Sequence, residues 1–469
     1  MSFIEILIVI IIAHFLAVNL LYLVLLVLSV SGLRGRFRRS AATQLSRYRT
    51  SPLTVPLSVI VPTRNEEHSI VETIHSLLRM RLPEYEIIVV DDGSTDQTIA
   101  RLVETFDLET VDTFYPQPIE TAPVLEVLNS RSHARLRLLR KTAGGKKADA
   151  VNAGVNLARY RYVLVTDADC NFAPDALLRA LSEISFDAAR IVGAGGQVRI
   201  RNGMDFERGR LVRQRLPSRL VERFQLVEYL GSMLGNRVGW GALGAIPVLS
   251  GAFNIWRRDL LLELGGLDHQ VTHEDIEFTL RVHEAMLRDR RAYHIAWIPD
   301  AIVWTEVPHR WRDLYAQRKR WQRVVFEVVW KFRRTLFNPR YGAVGMIMMP
   351  YLLLFEALGP FFELGAYLLA GYLLLQGELL VSAYLLFLVF SFALTAFLRI
   401  VSLVVDAWLY GRYSPRALMT LPLLALLEYP VYRPPILLAR VVAFFEFLAG
   451  RTSWEPVRRH AAVRAGLYA

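Results

Sequence analysis

One apolar segment that ends in two carboxylates constrains the fold of this chain most. Residues 86–90 read Glu-Ile-Ile-Val-Val and are followed by Asp91, Asp92 and a Gly-Ser turn. A short aliphatic run with a turn signal at its end is typical of a buried parallel strand. Ligands of open α/β sheets bind outside the carboxyl ends of the strands. The segment therefore predicts that Asp91 and Asp92 face a ligand and not the core.

A second apolar run, residues 57–62, lies before this strand and predicts a βαβ unit. It ends at Pro62, and a polar loop and a run of apolar residues at helical spacing follow it. Strand, helix and strand with short connections form such a unit, with a right-handed crossover. Because both loops then open on the same edge of the sheet, Pro62, Asp91 and Asp92 are predicted to be neighbours.

A third strand pattern, residues 162–166, ends in a pair of carboxylates that is suited to a metal ion. Asp167 and Asp169 follow the strand directly. At this spacing two carboxylates reach one divalent cation, and water and substrate phosphates complete its shell. Oxygen ligands alone suit Mg²⁺ or Mn²⁺ rather than zinc. The sequence therefore predicts an Mg²⁺ or Mn²⁺ site.

Two predicted helices begin with charged residues that are candidates for substrate binding or catalysis. Lys146 and Lys147 open a helix of small residues, where cations beside a helix N-terminus favour a diphosphate ligand. A solvated lysine pair is the alternative. Glu274 and Asp275 open a second helix, and their alternative role is to compensate the positive end of the helix dipole.

A basic amphipathic helix is predicted at residues 314–331. Gln317, Arg320 and Trp321 share one face of it by the i, i+3, i+4 rule. This face combines an amide, a guanidinium suited to phosphate oxygens and a flat indole suited to a sugar ring or base. A helix that lies on a membrane surface has the same pattern, and both interpretations are compatible.

The apolar residues are concentrated at both ends of the chain. The composition is 53% hydrophobic, with a mean hydropathy of +0.29, and the excess falls in residues 3–30 and 341–450. Residues 3–30 are long enough to span a membrane, and the arginines that follow them favour a cytoplasmic middle domain. Anionic lipid is an alternative partner for these arginines. Glu356, Glu363 and Arg399 lie within apolar stretches, where Glu–Arg pairing between helices is expected ahead of a substrate path.

These patterns predict five regions. They are a transmembrane helix at 1–32, a basic juxtamembrane linker at 33–54, a cytoplasmic α/β domain at 55–335, a transmembrane and interfacial region at 336–450, and a basic cytoplasmic tail at 451–469. The net charge of +11 does not indicate nucleic-acid binding, because the basic residues crowd at the membrane flanks without a nucleic-acid-binding motif. Cys170 is the only cysteine, which excludes a disulfide framework.

In their order along the chain, these motifs resemble the membrane-embedded polysaccharide synthases of glycosyltransferase family 2. That group includes cellulose, hyaluronan, chitin and poly-N-acetylglucosamine synthases. The resemblance covers residues 55–335 and rests on the following segments: Val61–Glu67, Asp91–Ser94, Gly145–Asn152, Asp167–Asp169, His273–Asp275 and Gln317–Trp321. His273 and Lys146 depart from the commoner Thr and Gly of the family. Residues 104–134 are outside the shared pattern and are expected to be a loop-rich insertion.

The resemblance implies an α/β GT-A (Rossmann-like) cytoplasmic domain with α-helical transmembrane segments in an integral membrane protein. It implies a nucleotide-sugar donor, usually UDP-linked, held with Mg²⁺ or Mn²⁺. The roles it implies are the following: Pro62, Glu66, Asp91, Asp92, Lys147 and Asp167 at the donor, Asp169 with Asp167 at the metal, Asp275 as general base beside Glu274, and Gln317, Arg320 and Trp321 at the diphosphate and the acceptor.

The function expected from the resemblance is inverting, processive extension of a β-linked polysaccharide, with export through the membrane segments. The expected partners are a saccharide or lipid acceptor and the lipid bilayer, and accessory export subunits are compatible with this function. Nucleic acid is not an expected partner. The alternative is a non-processive enzyme that transfers one sugar to a membrane lipid. A transporter or scaffold with an inactive transferase domain is disfavoured, because Asp92, Asp169 and Asp275 are all present.

Overall fold

The described residues of the chain, in this computed structural model, are 3–42, 45–377, 381–410 and 413–450. They fall into a sheet unit, Leu33–Arg215 with Gly244–Glu306, and a helical unit, Met1–Gly32 with Leu216–Leu243 and Val307–Ala469. The basic tail predicted at residues 451–469 lies outside the described residues. The predicted domain boundaries stay predictions.

The sheet unit is built on a mixed sheet of ten strands among the described residues, in the order β3-β4-β5-β2-β1-β6-β11-β8-β12-β7, and β9 and β10 form a separate hairpin. The strands are β1 Leu57–Thr63, β2 Tyr85–Asp92, β3 Leu108–Val111, β4 Val124–Ser130, β5 Leu136–Lys141, β6 Tyr162–Val165, β7 Asn171–Phe172, β8 Ile191–Ile200, β9 Met204–Glu207, β10 Arg210–Gln214, β11 Asn254–Arg257 and β12 His294–Thr305. This architecture confirms the predicted α/β class.

The helices are α1 Phe3–Ala42, α2 Leu45–Tyr48, α3 Ile70–Leu78, α4 Thr98–Phe106, α5 Lys147–Leu157, α6 Ala176–Phe186, α7 Leu220–Leu230, α8 Arg237–Ala242, α9 Arg258–Glu263, α10 Glu274–Arg288, α11 Trp311–Lys331, α12 Met349–Tyr351, α13 Gly359–Gln376, α14 Val381–Tyr410, α15 Pro415–Leu427 and α16 Arg433–Leu448. Short 3₁₀ turns occupy Arg333–Thr335 and Pro339–Tyr341, and π-helical turns occupy Gly231–Asn236, Val344–Met348, Leu352–Ala357 and Glu428–Tyr432.

The parallel strands β5, β2, β1 and β6 form the part of the sheet that carries the predicted site. β1 and β2 are buried along their whole length, as expected for parallel strands with both faces covered. The small residues of α5 let this helix lie close to them. A Cβ on Gly154 would be 2.6 Å from Cγ2 of Ile60 and 3.1 Å from Cγ2 of Val90. The small-residue helix is therefore a packing requirement of the sheet.

Residues 104–134 were expected to be a loop-rich insertion, and that expectation is wrong for part of them. They contain β3 and β4, an antiparallel pair that extends the sheet beyond β5. β4 lies between β3 and β5 but mixes buried and exposed positions, so its apolar signal is weak. The pattern of residues 211–236 predicts mostly helix, and this prediction is wrong for the start of the range. β10 ends at Gln214, and α7 begins only at Leu220.

Within the helical unit, the apolar helix α1 packs through small residues. The Ser29 hydroxyl donates to the carbonyl of Gly235 at 2.7 Å, and a Cβ on Gly239 would be 2.4 Å from the Leu25 carbonyl oxygen. By length and apolarity, Phe3–Arg34 is the one described helix able to cross a membrane. The helical segments Val344–Ala357 and Gly359–Gln376 are bent by 40° relative to each other, and they add a second crossing if the pair forms one span. The apolar run at residues 379–405 predicts a further span by its length, and it begins outside the described residues.

Ionisable side chains in the apolar stretches of the helical unit are paired, as the sequence predicts. Glu356 pairs with Arg440 at 2.9 Å, Glu363 with Arg433 at 2.9 Å, and Arg399 with Glu428 at 3.0 Å. Each partner lies in the proline-broken region of residues 417–450, where the pattern alone did not identify it. Pairing satisfies charges that are costly to bury alone.

Candidate active site

The ends of β1 and β2 bring the first predicted residues together. The two strands pair in parallel, so that Pro62 and Thr63 lie opposite Val90 and Asp91. Pro62 is buried within β1. The predicted proximity of Pro62 to the two carboxylates is therefore confirmed. The Pro62 side chain itself packs as part of the buried strand.

Hydrogen bonds join the two loops that follow these strands. Asn65 adopts a positive φ of 56°, and its Oδ1 accepts from the backbone N–H of Thr95 at 2.8 Å. The backbone N–H of Glu66 donates to the Thr98 hydroxyl at 2.9 Å. The Glu66 carboxylate accepts from the Ser69 hydroxyl at 2.8 Å. The loops thus form one rim at this edge of the sheet.

Asp91 shapes the turn that ends β2. Its Oδ1 and Oδ2 accept from the backbone N–H of Ser94 at 3.2 and 3.3 Å. Burial raises the pKa of Asp91, and the hydrogen bonds from Ser94 oppose that rise. The carboxylate is thus engaged with its own loop.

Asp92 is held by a buried lysine that sequence reasoning missed. Oδ1 of Asp92 accepts from Nζ of Lys141 at 2.7 Å and from the backbone N–H of Gly144 at 2.8 Å. Lys141 is the last residue of β5 and lies opposite Asp92 in the parallel register. Its side chain is 0% exposed. Strand pairing alone reveals the contact, since the two residues are far apart in sequence.

The Asp-x-Asp motif lies directly after β6, as predicted. Asp169 is buried, and its Oδ1 accepts from the Thr305 hydroxyl at 3.3 Å. Ligand atoms of Asp167, Asp169 and Cys170 lie within 4.8 Å of one another. Two carboxylates at this separation fit a hard divalent cation that takes its remaining ligands from water and phosphate oxygens.

The thiol of Cys170 is less suited to a hard cation than the two carboxylates. Burial raises the pKa of Cys170 well above its usual value, and the negative charges of Asp169 and Asp167 raise it further. Sulfur is also a soft ligand, whereas Mg²⁺ and Mn²⁺ favour oxygen ligands. The two carboxylates therefore remain the candidate ligands.

Lys147 links the Asp-x-Asp motif to the start of α10. Its Nζ lies 2.6 Å from Oδ1 of Asp167 and 3.4 Å from Oε1 of Glu274. Burial alone would lower the pKa of Lys147, but the charges of Asp167 and Glu274 outweigh it and raise the pKa. The lysine is thus a fixed positive charge in an acidic cluster, at the N-terminus of α5.

Asp275 occupies the first turn of α10. Its Oδ1 accepts from the backbone N–H of Ile276 at 2.8 Å, and its Oδ2 from that of Gly251 at 3.2 Å. Burial raises the pKa of Asp275 and the charge of Glu274 raises it further, while His273 and Lys147 oppose the rise. A carboxylate whose pKa is raised in this way is a better proton acceptor than an ordinary one.

Gly251 lies where these side chains meet, which the sequence pattern does not reveal. A Cβ at this position would be 3.1 Å from Nζ of Lys147, 3.7 Å from Oδ2 of Asp275 and 3.9 Å from Oδ2 of Asp167. Since glycine has no side chain, the space between the lysine and the two carboxylates stays open. The structure thus groups Lys147, Asp167 and Asp275 around Gly251, with Glu274 beside Lys147.

Gln317, Arg320 and Trp321 lie on α11 of the helical unit. Trp321 is 36% exposed, and the Arg318 guanidinium lies 4.2 Å from its ring centroid. Arg318 is held by Glu228 at 2.6 Å. Oε1 of Gln317 is buried without a hydrogen-bond partner among the described residues, so this amide has unused acceptor capacity.

Comparison with known proteins identifies a family for the part of the chain that contains these residues. The family model described as "Glycosyltransferase like family 2" matches residues 55–323. The chain is 26% identical over 306 residues to a poly-beta-1,6-N-acetyl-D-glucosamine synthase of Staphylococcus epidermidis, a match that covers 64% of this chain and 61% of that protein. The corresponding synthase of Staphylococcus aureus strain COL is 25% identical over 306 residues, with the same coverage. The match thus spans less than two thirds of these relatives.

Among solved structures, a mannosyltransferase from Pyrobaculum calidifontis, in complex with GDP-Man and Mn²⁺, shares the fold. Its TM-score is 0.50 at 19% identity, over 92% of this chain and 99% of that one. The fold likeness supports the GT-A-like mixed α/β core, and the family model covers more than half of the chain. This protein therefore belongs to glycosyltransferase family 2 and is a glycosyltransferase.

Proposed function

We propose that this glycosyltransferase extends a β-linked polysaccharide processively from a nucleotide-sugar donor, with inversion at the transferred sugar. The arrangement of Lys147, Asp167 and Asp275 around Gly251 carries the proposal, because it combines an anion-binding group, a metal ligand and a base. The names of the staphylococcal relatives support a polymeric product.

Asp275 is the proposed general base. It takes the proton from the acceptor hydroxyl as that oxygen attacks the anomeric carbon of the donor sugar. The backbone N–H groups of Gly251 and Ile276 fix the direction of its carboxylate. Glu274 raises the pKa of Asp275 by its charge and also holds Lys147 in place.

Charged groups beside Gly251 bind the leaving nucleoside diphosphate. Asp169 and Asp167 are the proposed ligands of a Mg²⁺ or Mn²⁺ ion, which stabilises the negative charge that develops on the diphosphate. Lys147 adds a positive charge from the N-terminus of α5, where backbone N–H groups also favour anions. Asp92 is the proposed contact to the nucleoside, at the rim that Pro62, Glu66 and Asp91 help to form.

The proposed acceptor site includes Gln317, Arg320 and Trp321, which offer an amide, a guanidinium and an indole to a sugar chain and a diphosphate. We further propose an integral membrane protein with its catalytic domain in the cytoplasm. The apolar helix Phe3–Arg34 and the arginines that follow it support this orientation. Export of the product through the membrane segments, with or without accessory subunits, belongs to the same proposal.

The test is incubation of the purified protein in proteoliposomes with Mg²⁺ or Mn²⁺ and a panel of donors, namely UDP-sugars and GDP-mannose. Release of the nucleoside diphosphate and product size are measured together. We expect one UDP-sugar to give a ladder or a high-mass product, and Asp275→Asn to abolish it. Asp289→Asn, at the other end of α10, is the matched control and should retain activity.

Two outcomes would contradict the proposal. A single sugar transferred only when a lipid acceptor is added would establish the non-processive alternative. Equal turnover by Asp275→Asn and the wild-type protein would exclude Asp275 as the base.

A further inference from the structure

Asp91 and Asp92 are adjacent in sequence but differ in what they leave open to a ligand. Both oxygens of Asp91 are directed to the backbone N–H of Ser94. Oδ1 of Asp92 accepts hydrogen bonds from Nζ of Lys141 and the backbone N–H of Gly144. Oδ2 of Asp92 has a different environment and accepts no hydrogen bond from the part of the chain that the structure describes.

The nearest cation to Oδ2 of Asp92 is the Arg64 guanidinium, at 4.0 Å. That distance exceeds a hydrogen bond, and the Arg64 side chain is 47% exposed. A carboxylate oxygen has acceptor capacity for more than one donor. Asp92 therefore has one anchored oxygen and one oxygen that can accept an N–H or O–H from a ligand.

Lys141, which anchors Asp92, is unable to bind the ligand itself. Its ammonium has three N–H groups. Two of them donate to Oδ1 of Asp92 at 2.7 Å and to the carbonyl of Thr142 at 2.8 Å, and the ammonium also forms an ion pair with a carboxylate oxygen of Asp149. With these three partners and a fully buried side chain, Lys141 has a fixed orientation, and it acts on a ligand through Asp92.

Asp149, which pairs with Lys141, connects the Lys141–Asp92 pair to the segment at residues 104–134. The other oxygen of Asp149 accepts from the backbone N–H of Ala122 at 3.0 Å. Asn156, on the same helix α5, exchanges two hydrogen bonds with the backbone of Ile119, at 2.8 and 3.2 Å. This segment lies outside the pattern shared with the polysaccharide synthases, but it completes the support of Lys141.

We propose that Lys141 is a positioning residue for the donor. It directs Oδ2 of Asp92 toward the base or ribose of the nucleotide. Asp149, which is hydrogen-bonded to the 104–134 segment, holds Lys141 in this position. This inference rests on the proposed function, in which Asp92 contacts the donor nucleotide. It assigns to residues 104–134 a part in donor binding. It also separates Asp92, which binds, from Asp91, which shapes the turn.

The test measures binding of UDP with Mg²⁺ to the full-length protein by titration calorimetry, without turnover. The variants are Asp92→Asn, Lys141→Met and the double variant, with Lys331→Met, an exposed lysine at the end of α11, as the matched control. We expect each single variant to raise the dissociation constant about 10- to 100-fold, the range for a lost hydrogen bond to a charged group. The double variant should be no weaker than Asp92→Asn, and Lys331→Met should bind as the wild-type protein does.

Each result bears on one of the two claims. Equal binding by Asp92→Asn and the wild-type protein, or no UDP binding at all, overturns the donor role of Asp92 and the inference with it. Loss of binding in Asp92→Asn but not in Lys141→Met overturns the inference alone. Losses that add in the double variant show a general structural role for Lys141 and also overturn it.

Removal of Lys141 leaves two carboxylates buried near each other, so folding has its own control. Thermal unfolding of every variant is measured first, and Lys141→Met/Asp149→Asn, which removes the lysine and one of the charges it neutralises, is the replacement if Lys141→Met does not fold. We expect this variant to show the same 10- to 100-fold loss. Wild-type affinity in a folded variant without Lys141 contradicts the inference.

Discussion

At the scale of single residues, charge and hydrogen bonding give each acidic side chain of the site a different task. Asp91 is turned to its own loop, Asp92 is anchored on one side, Asp169 is buried beside Thr305, and Asp275 sits at the start of a helix. These differences follow from position, because the residue type is the same in all four. They lead to two predictions.

The first prediction concerns pH. Burial and then the charge of Glu274 raise the pKa of Asp275. Because the ionised carboxylate is the base, turnover is lost as the pH falls through this raised pKa, and the loss starts at higher pH than for an ordinary carboxyl group. Glu274→Gln removes one of the causes, so the acidic limb of its kcat/KM profile should move to lower pH. An unmoved limb in Glu274→Gln, compared with the control Asp289→Asn, would contradict this account.

The second prediction concerns the metal. Asp169→Asn should raise the concentration of Mn²⁺ that half-saturates turnover by about tenfold or more, since loss of even an outer partner of a metal ligand costs 10- to 100-fold. Cys170→Ala, at the next residue, should leave that concentration unchanged, because Mn²⁺ favours the carboxylate oxygens over sulfur. The measurement is a Mn²⁺ titration of activity after treatment with EDTA. A larger shift in Cys170→Ala than in Asp169→Asn would show the wrong ligand set.

Residues adjacent to a strand end were predictable from the sequence, and residues brought in by strand register were not. Asp92, Asp167 and Asp169 follow aliphatic runs, so their place at the sheet edge was predictable. Lys141 and Gly251 carry no such local signal. Their place depends on the β2–β5 pairing and on the close approach of separate loops, which no window along the chain contains.

At the scale of elements, packing fixes the position of the helices that carry the site. α5 bears Lys147 at its N-terminus and has Gly154 against Ile60 and Val90 of the sheet. α10 bears Glu274 and Asp275 in its first turn and is tied to the preceding loop by Thr279, whose hydroxyl accepts from the Leu249 backbone N–H at 3.2 Å. Displacement of either helix would move the charged cluster.

The third prediction tests the packing of α5. Gly154→Ala should lower the free energy of unfolding by roughly 1–3 kcal/mol, because the added Cβ overpacks the sheet face and this cost outweighs the helix-propensity gain. Gly365→Ala, in α13, adds a methyl group with nothing within 4 Å and should not destabilise. Thermal unfolding in detergent compares them. Equal midpoints for the two variants would contradict the close packing.

The fourth prediction tests the ion pair between Glu363 and Arg433. Glu363→Gln should lower the free energy of unfolding by roughly 1–3 kcal/mol, because it weakens the hydrogen bonds that the half-buried Arg433 guanidinium donates to a buried carboxylate. The double variant Glu363→Gln/Arg433→Gln should recover part of that loss, since it removes both charges. Thermal unfolding again provides the measurement, and purely additive losses would show that the two residues do not interact.

Elements were predictable where the apolar pattern is strong. The strands before Asp91 and Asp167 and the long helix that carries Trp321 have clear periods and are close to prediction. β3 and β4 were missed because they flank a proline-rich stretch without a regular period and because both strands mix buried with exposed positions. The apolar run at residues 292–297 predicts a short strand, but β12 continues to Thr305 with an irregular register against β8. A proline and an aspartate in the middle of β12 interrupt its apolar pattern.

At the scale of the whole molecule, family membership follows from ordered motifs more than from any one residue. The family model spans residues 55–323, and the charged cluster at the sheet edge lies within that range. The apolar helix Phe3–Arg34 lies outside it. The comparisons thus establish the transferase core.

The measurement that tests the central claim most directly is a pulse–chase of product length. The protein in proteoliposomes is started with a labelled UDP-sugar, and a large excess of unlabelled donor and fresh acceptor is added after a few turnovers. Processive synthesis predicts that labelled chains grow long while most acceptor stays unextended. Labelled products that stop after one sugar, or label spread evenly over short chains, would contradict processive extension and favour single-sugar transfer.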